Sequence, residues 1–423
     1  MPSPLRLKDR TFYGWVVVGA FFIISATIMG VRYSFGVFFK SLASEFDLTR
    51  TATSMIWSVY MIAGTVFIIL GGWALDRYGP RIVVLVMGIF CGLSLLLTSQ
   101  VGSLWQLFVS YSLLLAVGTS AQYVVLMSTV SRWFDKKRGL ALGIASAGGG
   151  VGAVVMAPSA TFLIAGFGWR TAYIAMGVIS WLLLVPLGRL LKRDPYEIGA
   201  LPDGAKAVSA GISREKPESG ESIHPAGLSL SQAVRTRSFW LITAFFLCFG
   251  SALFLVVTHL VNHVTDIGFS AVQAATVLSM TSGMAIPGRV AIGLVSDRVG
   301  KKSTAIVCFS VQVGALIWLI WAQELWMLYL FGIVFGLAYS GIPVASAGLV
   351  SQTFGLRKMG TILGVLDVGF ALGAAIGPAI GGYIFDVRNS YSLAFVYCAA
   401  IILLASMLIA LVRREMSAEI SSA

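Results

Sequence analysis

The chain contains twelve runs of mainly apolar residues, each about long enough to cross a membrane as a helix. A bilayer's hydrocarbon core is ~30 Å thick, which takes about 20 residues at ~1.5 Å per residue. Backbone polar groups in that core must be hydrogen-bonded within the protein, so such runs fold as helices. The predicted spans cover residues 14–39, 51–75, 82–99, 104–130, 139–167, 172–190, 239–263, 270–295, 304–322, 326–352, 361–385 and 390–412.

Composition and charge placement agree with an integral, multi-pass membrane protein. Hydrophobic residues make up 57% of the 423 residues and charged residues only 11%, a balance outside the range of soluble domains. The net charge of +12 is not read as a nucleic-acid site, because the basic residues collect in alternate loops, as the positive-inside rule requires. We therefore expect a cell (inner) membrane protein with both termini cytoplasmic. The basic residues left on the outside are Lys40, Arg50, Arg170 and Arg388.

Two further features concern processing and the cysteines. No cleavable signal peptide is expected, since the first apolar run is long and no small-residue cleavage site follows it. Four cysteines fall in four different spans without metal-ligand spacing, which predicts small packing residues and no metal or other cofactor. Cys398 is in addition considered as a residue facing a central cavity. The other three are Cys91, Cys248 and Cys308.

Residues 191–238 interrupt the apolar pattern with a stretch rich in Gly, Ser, Pro, Glu and Lys. Such a composition predicts a flexible cytoplasmic linker. It divides the chain into an N-terminal part, residues 1–190, and a C-terminal part, residues 239–423, with six predicted spans in each.

The two parts repeat one another. Residues 72–81, GWALDRYGPR, match residues 293–302, GLVSDRVGKK, at an offset of 221. Pro158 and Pro378, each preceded by a small residue in the fifth span of its part, match at an offset of 220. Duplicated six-helix halves are the layout of alternating-access transporters, in which the substrate binds near the midplane between the halves.

The repeated motif G-x-x-x-D-R-x-G-x-[RK] resembles the loop signature of the major facilitator superfamily. This resemblance implies an all-α membrane protein with twelve transmembrane helices in two pseudo-symmetric six-helix halves. Asp76 and Asp297 are expected to face a helix N-terminus or a basic neighbour across a cytoplasmic gate. The basic residues of the motif, Arg77, Arg81 and Arg298, are predicted gate residues with them.

A narrower resemblance lies in two further stretches. Residues 133–152, WFDKKRGLALGIASAGGGVG, look like the signature that opens the fifth helix of monocarboxylate transporters. Residues 13–17, YGWVV, are similar to that family's first-helix signature. The resemblance implies a small monocarboxylate substrate, such as L-lactate or pyruvate, moved together with a proton.

The sequence also departs from the monocarboxylate transporter pattern. An acidic residue and two glycines are expected just before the first signature, where this chain has Arg10, Thr11 and Phe12. The family's aspartate in the eighth helix is Ala285, and a lysine of animal members in the first helix is Tyr33. These differences indicate a distant, bacterial-type relative and keep an organic-anion exchanger of the oxalate–formate type, without proton coupling, as the alternative.

One cation lies deep within the eighth span. Arg289 precedes Asp297 by eight residues, ~12 Å along a helix and close to the bilayer midplane. Pro287 removes a backbone donor just before it and predicts a kink. An arginine remains charged, and at that depth it costs at least ~2.5–3.5 kcal/mol on insertion scales, so it marks a functional site. We predict that Arg289 binds the substrate carboxylate; a structural ion pair is the alternative.

The candidates for proton coupling and entry are an acid, a histidine and a second arginine. Asp367 is the only acid well inside a span, at the depth of Arg289, and is predicted to neutralise Arg289 until the substrate anion replaces it and Asp367 takes up a proton. The alternative is a permanent structural pair. His259, near the outer end of the seventh span, is a second proton-path candidate or a packing residue. Arg32, near the outer edge of the first span, is predicted to attract substrate or to gate.

Other polar or adaptable side chains lie near mid-depth and are candidate substrate contacts. Each signal is weak alone, because serines and tyrosines also hold membrane helices together. These candidates are Tyr123, Ser146, Tyr339, Ser340, Tyr397 and Cys398.

Other function classes fit the chain less well. A membrane enzyme normally gathers several titratable residues at one interface, and three histidines with one intramembrane acid are too few. A sensor needs an output domain, for which the linker and tails are too short. The glycine run at residues 148–152 lacks the Gly-Lys-Ser/Thr of a phosphate loop and predicts close helix packing instead. We expect a transporter that acts as a monomer in membrane lipid, with a monocarboxylate and a proton as ligands.

Overall fold

The structure is a computed structural model that describes residues 12–47, 50–204 and 227–413. The regular elements in these ranges are helices. Residues 10 and 11 of the first-helix signature, the middle of the linker and both chain ends lie outside them. The N-terminal part forms α1 (Tyr13–Glu45), α2 (Arg50–Thr98), α3 (Leu104–Leu107), α4 (Leu115–Thr119), α5 (Gln122–Trp133) and α6 (Arg138–Leu190). The C-terminal part forms α7 (Leu230–Val234), α8 (Arg237–Asp266), α9 (Ala271–Val299), α10 (Lys301–Trp321), α11 (Leu325–Ser340), α12 (Ile342–Phe354), α13 (Met359–Arg388) and α14 (Ser392–Leu411).

Ten helical segments within the described residues are long and apolar enough to cross a membrane. One of them joins α3, α4 and α5 through a wider helical turn at Phe108–Leu114, and another joins α11 and α12. The long helices α2 and α6 are each interrupted by a glycine in the left-handed region, Gly79 with φ 80° and Gly168 with φ 81°. A side chain at either position would be strained, so only glycine permits these breaks.

Small residues bring the helices of each part into close contact. Gly148 and Gly152 of α6 lie against backbone carbonyls of α1, and an added Cβ at either would collide with them. Gly373 and Gly377 of α13 meet the backbone of α8 in the same way. The packing role predicted for the glycine run of α6 is therefore confirmed.

The two parts of the chain meet mainly through two pairs of helices, α6 with α9 and α2 with α13. Gly139 of α6 lies on the backbone of Gly293 of α9, and Gly72 of α2 lies on that of Gly360 of α13. These contacts begin at the end of the helices that carries the repeated motif. They continue to Gly150 of α6, whose added Cβ would collide with the Ile286 side chain of α9.

Candidate functional site

Arg289 lies within the contact between α6 and α9, which continues beyond it to Gly150 and Ile286. Its side chain is half-buried, and its Nη1 donates to the carbonyl oxygen of Ser146 in α6 at 2.5 Å. Gly143 of α6 permits this approach, because an added Cβ there would collide with the Arg289 carbonyl. The charged group thus crosses from the C-terminal part to the N-terminal part.

The charge of Arg289 has no ion-pair partner among the described residues. The ion pairs that they form, with N–O distances up to 4.0 Å, involve other basic residues. A carbonyl dipole alone does not neutralise a guanidinium, which can donate five hydrogen bonds. Arg289 therefore keeps both charge and donors available for an anion.

Two tyrosines lie within electrostatic reach of this guanidinium. The hydroxyl of Tyr123, in α5, donates to the carbonyl oxygen of Pro343 in α12 at 3.2 Å and lies within electrostatic reach of both Arg289 and Asp367. Tyr339 of α11 lies within reach of Arg289 as well. The structure therefore brings Tyr123, Tyr339, Arg289 and Asp367 together, from four helices and both parts of the chain.

Asp367 has a different charged neighbour from the one predicted. Its half-buried carboxylate accepts no hydrogen bond and forms no ion pair within the described ranges, and the cation whose charge reaches it is Arg32 of α1. The guanidinium of Arg32 lies 5.7 Å from the ring centroid of Tyr60. The described residues show no ion pair between Asp367 and Arg289, since Arg289 reaches the Ser146 carbonyl and the charge that acts on Asp367 is that of Arg32.

We call the residues Arg32, Tyr123, Arg289, Tyr339 and Asp367 the central cluster. Two guanidinium groups and one carboxylate give it a formal charge of +1 when Asp367 is ionised. A cluster of that charge between the two parts of the chain can bind a monovalent anion.

Three of the predicted substrate-contact side chains are not part of the central cluster. A fourth residue, Ser146, contacts Arg289 through its backbone carbonyl and not through its side chain. Ser340 is buried against Gly288 and donates to the Leu337 carbonyl at 2.8 Å. Cys398 is fully buried, with its Sγ 3.8 Å from the Ala252 carbonyl, which corrects the expectation that it faces a cavity. Tyr397 pairs with the Ser251 hydroxyl at 3.3 Å. These side chains hold helices together instead.

Asp297 joins the two parts at the end that carries the motif. Its carboxylate accepts from the backbone N–H groups of Gly139 and Leu140 at 2.6 and 2.9 Å, at the first turn of α6. Lys301 pairs with the same carboxylate. A negative group at a helix N-terminus satisfies free donors and is favoured by the helix dipole.

Asp76 makes the equivalent contact in the opposite direction. It is buried and accepts from the N–H groups of Gly360 and Thr361 at 3.2 and 2.8 Å, at the first turn of α13, and from the Thr361 hydroxyl at 2.6 Å. Each part of the chain thus caps a helix of the other, at positions related by the repeat.

Comparison with known proteins identifies the family. The family model described as Major Facilitator Superfamily matches residues 21–323 and 290–422. The chain belongs to this superfamily. Its members are membrane transporters and not enzymes. Within the described ranges, no three His, Cys, Asp or Glu side chains come together as metal ligands.

Relatives within the superfamily carry the monocarboxylate name. Monocarboxylate transporter 13 of Bos taurus is 28% identical over 396 residues, covering 93% of this chain and 88% of the relative. Monocarboxylate transporter 11 of Homo sapiens is 26% identical over 411 residues, covering 95% and 83%. The similarity predicted from the two signatures is confirmed.

Solved structures of superfamily members share the fold. The E. coli fucose:proton symporter superposes with a TM-score of 0.73 at 13% identity, covering 95% of this chain and all of that one. The human organic anion transporter MFSD10 gives a TM-score of 0.71 at 15% identity, with 95% and 100% coverage. Both likenesses support the all-helical transporter fold alone.

His259 makes the hydrogen bonds of a packing residue, one of the two roles that the sequence left open. Its Nε2 lies 2.9 Å from the Pro378 carbonyl and its Nδ1 lies 3.2 Å from the Tyr391 hydroxyl. A carbonyl only accepts, so Nε2 carries a proton, and in the neutral ring Nδ1 accepts from Tyr391. The ring is buried between α8 and α13.

We call the surface along which α6 contacts α9 and α2 contacts α13 the seam between the two parts. The basic residues of the superfamily motif face away from it. Arg77 and Arg298 are exposed, and Arg77 lies over the rings of Trp73 and Tyr78 at 5.6 Å. Arg81 is exposed too. The prediction that these arginines are gate residues is therefore corrected. Neighbouring positions of a helix point about 100° apart. Because each motif aspartate faces the other part of the chain, the arginine that follows it faces outward.

Two other arginines contact the other part of the chain at this end. The sequence analysis proposed neither of them as a gate residue. Arg132 is buried, donates to the Leu356 carbonyl at 2.5 Å and lies 3.8 Å from Asp76. Arg138 donates to the Ser351 hydroxyl at 2.9 Å. Arg132 directly precedes the Trp-Phe signature and Arg138 lies within it, where the charge pattern alone indicates loop residues of the positive-inside kind.

Proposed function

We propose that the protein is a secondary active transporter that moves small monocarboxylates, such as L-lactate or pyruvate, together with a proton by alternating access. The observation that carries this proposal is the guanidinium of Arg289, which lies between the two parts of the chain without a carboxylate partner among the described residues. A planar guanidinium matches a carboxylate with two parallel hydrogen bonds. The monocarboxylate name of the relatives supports the same substrate class.

The proposal includes a particular arrangement of the chain. Dividing α2 at Gly79 and α6 at Gly168 turns ten membrane segments into twelve crossings, in two six-helix halves, residues 1–190 and 239–423, joined by the linker 191–238. With both termini in the cytoplasm, the repeated motif lies on the cytoplasmic face. We further propose that a single copy in the cell membrane is functional.

The state of the carrier follows from the contacts on that face. The motif aspartates join the halves there, through the contacts of Asp76 with α13 and of Asp297 with α6. This arrangement favours an outward-facing carrier. Opening to the cytoplasm then requires that Asp76 leave α13 and that Asp297 leave α6.

Asp367 is proposed to carry the proton. An arriving substrate carboxylate adds a second negative charge near Asp367, and a like charge favours the protonated form of a carboxylic acid. The cluster then has the same formal charge when empty as when it holds both anion and proton. Reorientation avoids an additional uncompensated charge within the membrane.

The exchanger alternative rests on the position of Arg32. If Arg32 holds Asp367 ionised throughout the cycle, the cluster binds an anion without taking up a proton, and the protein exchanges organic anions. Whether protons enter with the substrate therefore distinguishes a symporter from an exchanger.

The proposed function is tested in proteoliposomes that enclose a pH-sensitive dye. Adding labelled L-lactate outside, at equal pH on both sides and with no internal substrate, should give uptake and internal acidification at the same rate. Empty liposomes and liposomes loaded with lactate are the controls. Uptake that requires internal anion and leaves the pH unchanged would instead identify an exchanger.

The cytoplasmic contacts lead to a prediction about Asp76. Asp76→Asn removes a charge that caps α13, so the closed seam loses stability, by ~1–2 kcal/mol for a partly buried cap. A cysteine placed at Leu75, which is buried beside Gly360, should then react about 5- to 30-fold faster with an impermeant maleimide from the cytoplasmic side. The four native cysteines are buried, which keeps the background low.

The matched control for Asp76→Asn is Glu197→Gln, which changes an exposed carboxylate that contacts only its own loop. Lactate binding should persist in both variants, because the central cluster is untouched. Unchanged labelling at Leu75→Cys in the Asp76→Asn background would show that this contact does not hold the seam closed.

A further inference from the structure

We propose that a cavity at the motif-bearing end of the C-terminal part binds a phosphate group. The cavity has a volume of about 210 Å³ and lies between the start of α10 and the ends of α12 and α14, where Lys302, Thr353 and Arg413 line it. It is separate from the central cluster. The ligand's source is either the headgroup of an anionic lipid or free inorganic phosphate.

The first contribution comes from the start of α10. This 21-residue helix begins at Lys301 after Gly300, which provides no side-chain cap, and its first turn has no acidic residue. The first N–H groups of a helix have no carbonyl partner within it and carry a partial positive charge. Those of Lys301, Lys302 and Ser303 are donors of the kind that bind phosphate at helix N-termini.

The second feature that favours phosphate binding is positive charge in the cavity that no carboxylate neutralises. The lining includes Lys301, Lys302 and Arg413 and no carboxylate. Lys301 is committed to Asp297. Lys302 donates only to the Val412 carbonyl, at 3.1 Å, and Arg413 is exposed. Two cations therefore remain available to an anion in the cavity.

The third contribution is the side chain of Thr353. It lines the cavity and is 1% exposed, and its hydroxyl has no hydrogen-bond partner among the described residues. Other helical threonines here, such as Thr243 and Thr281, donate to the carbonyl four residues earlier. A buried hydroxyl left unpaired costs free energy, and a phosphate oxygen would supply the missing partner.

The internal repeat shows that this cavity is specific to the second part. The position equivalent to Thr353 in the first part is Trp133, which is fully buried and donates its indole N–H to the Lys192 carbonyl at 3.1 Å. Lys301 corresponds to Pro80, which has no N–H to offer. In the first part, Trp133 thus occupies the equivalent volume and Pro80 lacks the backbone N–H. In the second part, the cavity stays open and the N–H of Lys301 is present.

A phosphate group suits these donors better than a carboxylate does. Its oxygens point in several directions, so it can accept from the helix N-terminus and from two cations together. The cavity lies at the membrane face where the positive-inside rule places basic residues, and there anionic headgroups are concentrated. Lys301 links the cavity to the contact of Asp297 with α6.

The test measures the melting temperature of the full-length protein in detergent at constant ionic strength. Dioleoyl phosphatidylglycerol and inorganic phosphate are added separately, with dioleoyl phosphatidylcholine, a zwitterionic lipid without net charge, as the comparison. At about tenfold excess over Kd, an occupied site should raise the melting temperature by ~2–5 °C. A rise with phosphatidylglycerol alone identifies a lipid headgroup, a rise with phosphate alone a soluble ligand, and a rise with both a site for either.

Three variants decide whether this cavity is responsible. Lys302→Ala and Thr353→Trp, which fills the space as Trp133 does in the first repeat, should both lose the rise. Arg81→Ala, the equivalent of Lys302 in the filled repeat, should keep it. No rise in the parent protein, or a rise that persists in Lys302→Ala, overturns the proposal. Lys302→Ala alone is sufficient if Thr353→Trp does not fold.

Discussion

Replacing Arg289 with alanine should abolish measurable substrate binding. The guanidinium is the only cation of the central cluster that reaches across α6 and α9, and it has no ion-pair partner among the described residues. Removing one partner of a buried, hydrogen-bonded charge pair costs ~2–5 kcal/mol, which weakens binding by roughly 30- to 5,000-fold. Isothermal titration calorimetry of the purified protein with L-lactate measures this directly.

Two further variants, Arg289→Lys and Arg298→Ala, test whether the loss of binding is specific to the guanidinium of Arg289. Lysine keeps the charge but loses the planar pair of donors, so binding should be severely weakened. Arg298 is on the same helix and exposed, so Arg298→Ala should bind like the parent protein. If Arg289→Ala bound L-lactate with the parental Kd, the anion site would have to lie elsewhere, with Arg32 as the next candidate.

Asp367→Asn should separate transport from accumulation. Asparagine mimics the protonated acid, so the variant should bind substrate and exchange labelled for unlabelled L-lactate across the membrane. It should not concentrate substrate under an inward proton gradient. One proton per anion allows about tenfold accumulation for each pH unit, and the variant's ratio should fall to about one.

Asp386→Asn is the matched control for Asp367→Asn. Asp386 is on the same helix, α13, but is exposed near its C-terminal end, so accumulation should be parental. Parental accumulation in Asp367→Asn would exclude Asp367 as the carrier and leave His259, or a proton that travels on the substrate. Loss of exchange as well would indicate that Asp367 is a structural partner of Arg32.

The sequence was most informative where a residue's depth in the membrane was the question. Arg289 was identified from its distance to the motif, and the structure brings it into the contact between the two parts of the chain. The motif aspartates were expected to face a helix N-terminus or a basic neighbour across the gate, and the structure has the helix N-termini there, whereas the basic neighbours Lys301 and Arg132 lie in the same part as their aspartates.

Partners across the seam were the weakest part of the sequence interpretation. The sequence paired Asp367 with Arg289 because their depths agree, but depth says nothing about which way a helix is turned. Asp76, which faces α13, and Arg77, which faces outward, are adjacent in α2, and adjacent helix positions point about 100° apart. Ser340 and Cys398 were misplaced for the same reason.

The sequence by itself determined the helical membrane class, the internal repeat and the depth of each charge in its span. The bilayer imposes these along one dimension, through the length and polarity of each run. Only the tertiary structure decided that Arg32 reaches Asp367, that Asp76 caps α13 and that Thr353 leaves a cavity where Trp133 fills one. Those contacts join residues far apart in the chain and depend on how each helix is rotated against its neighbours.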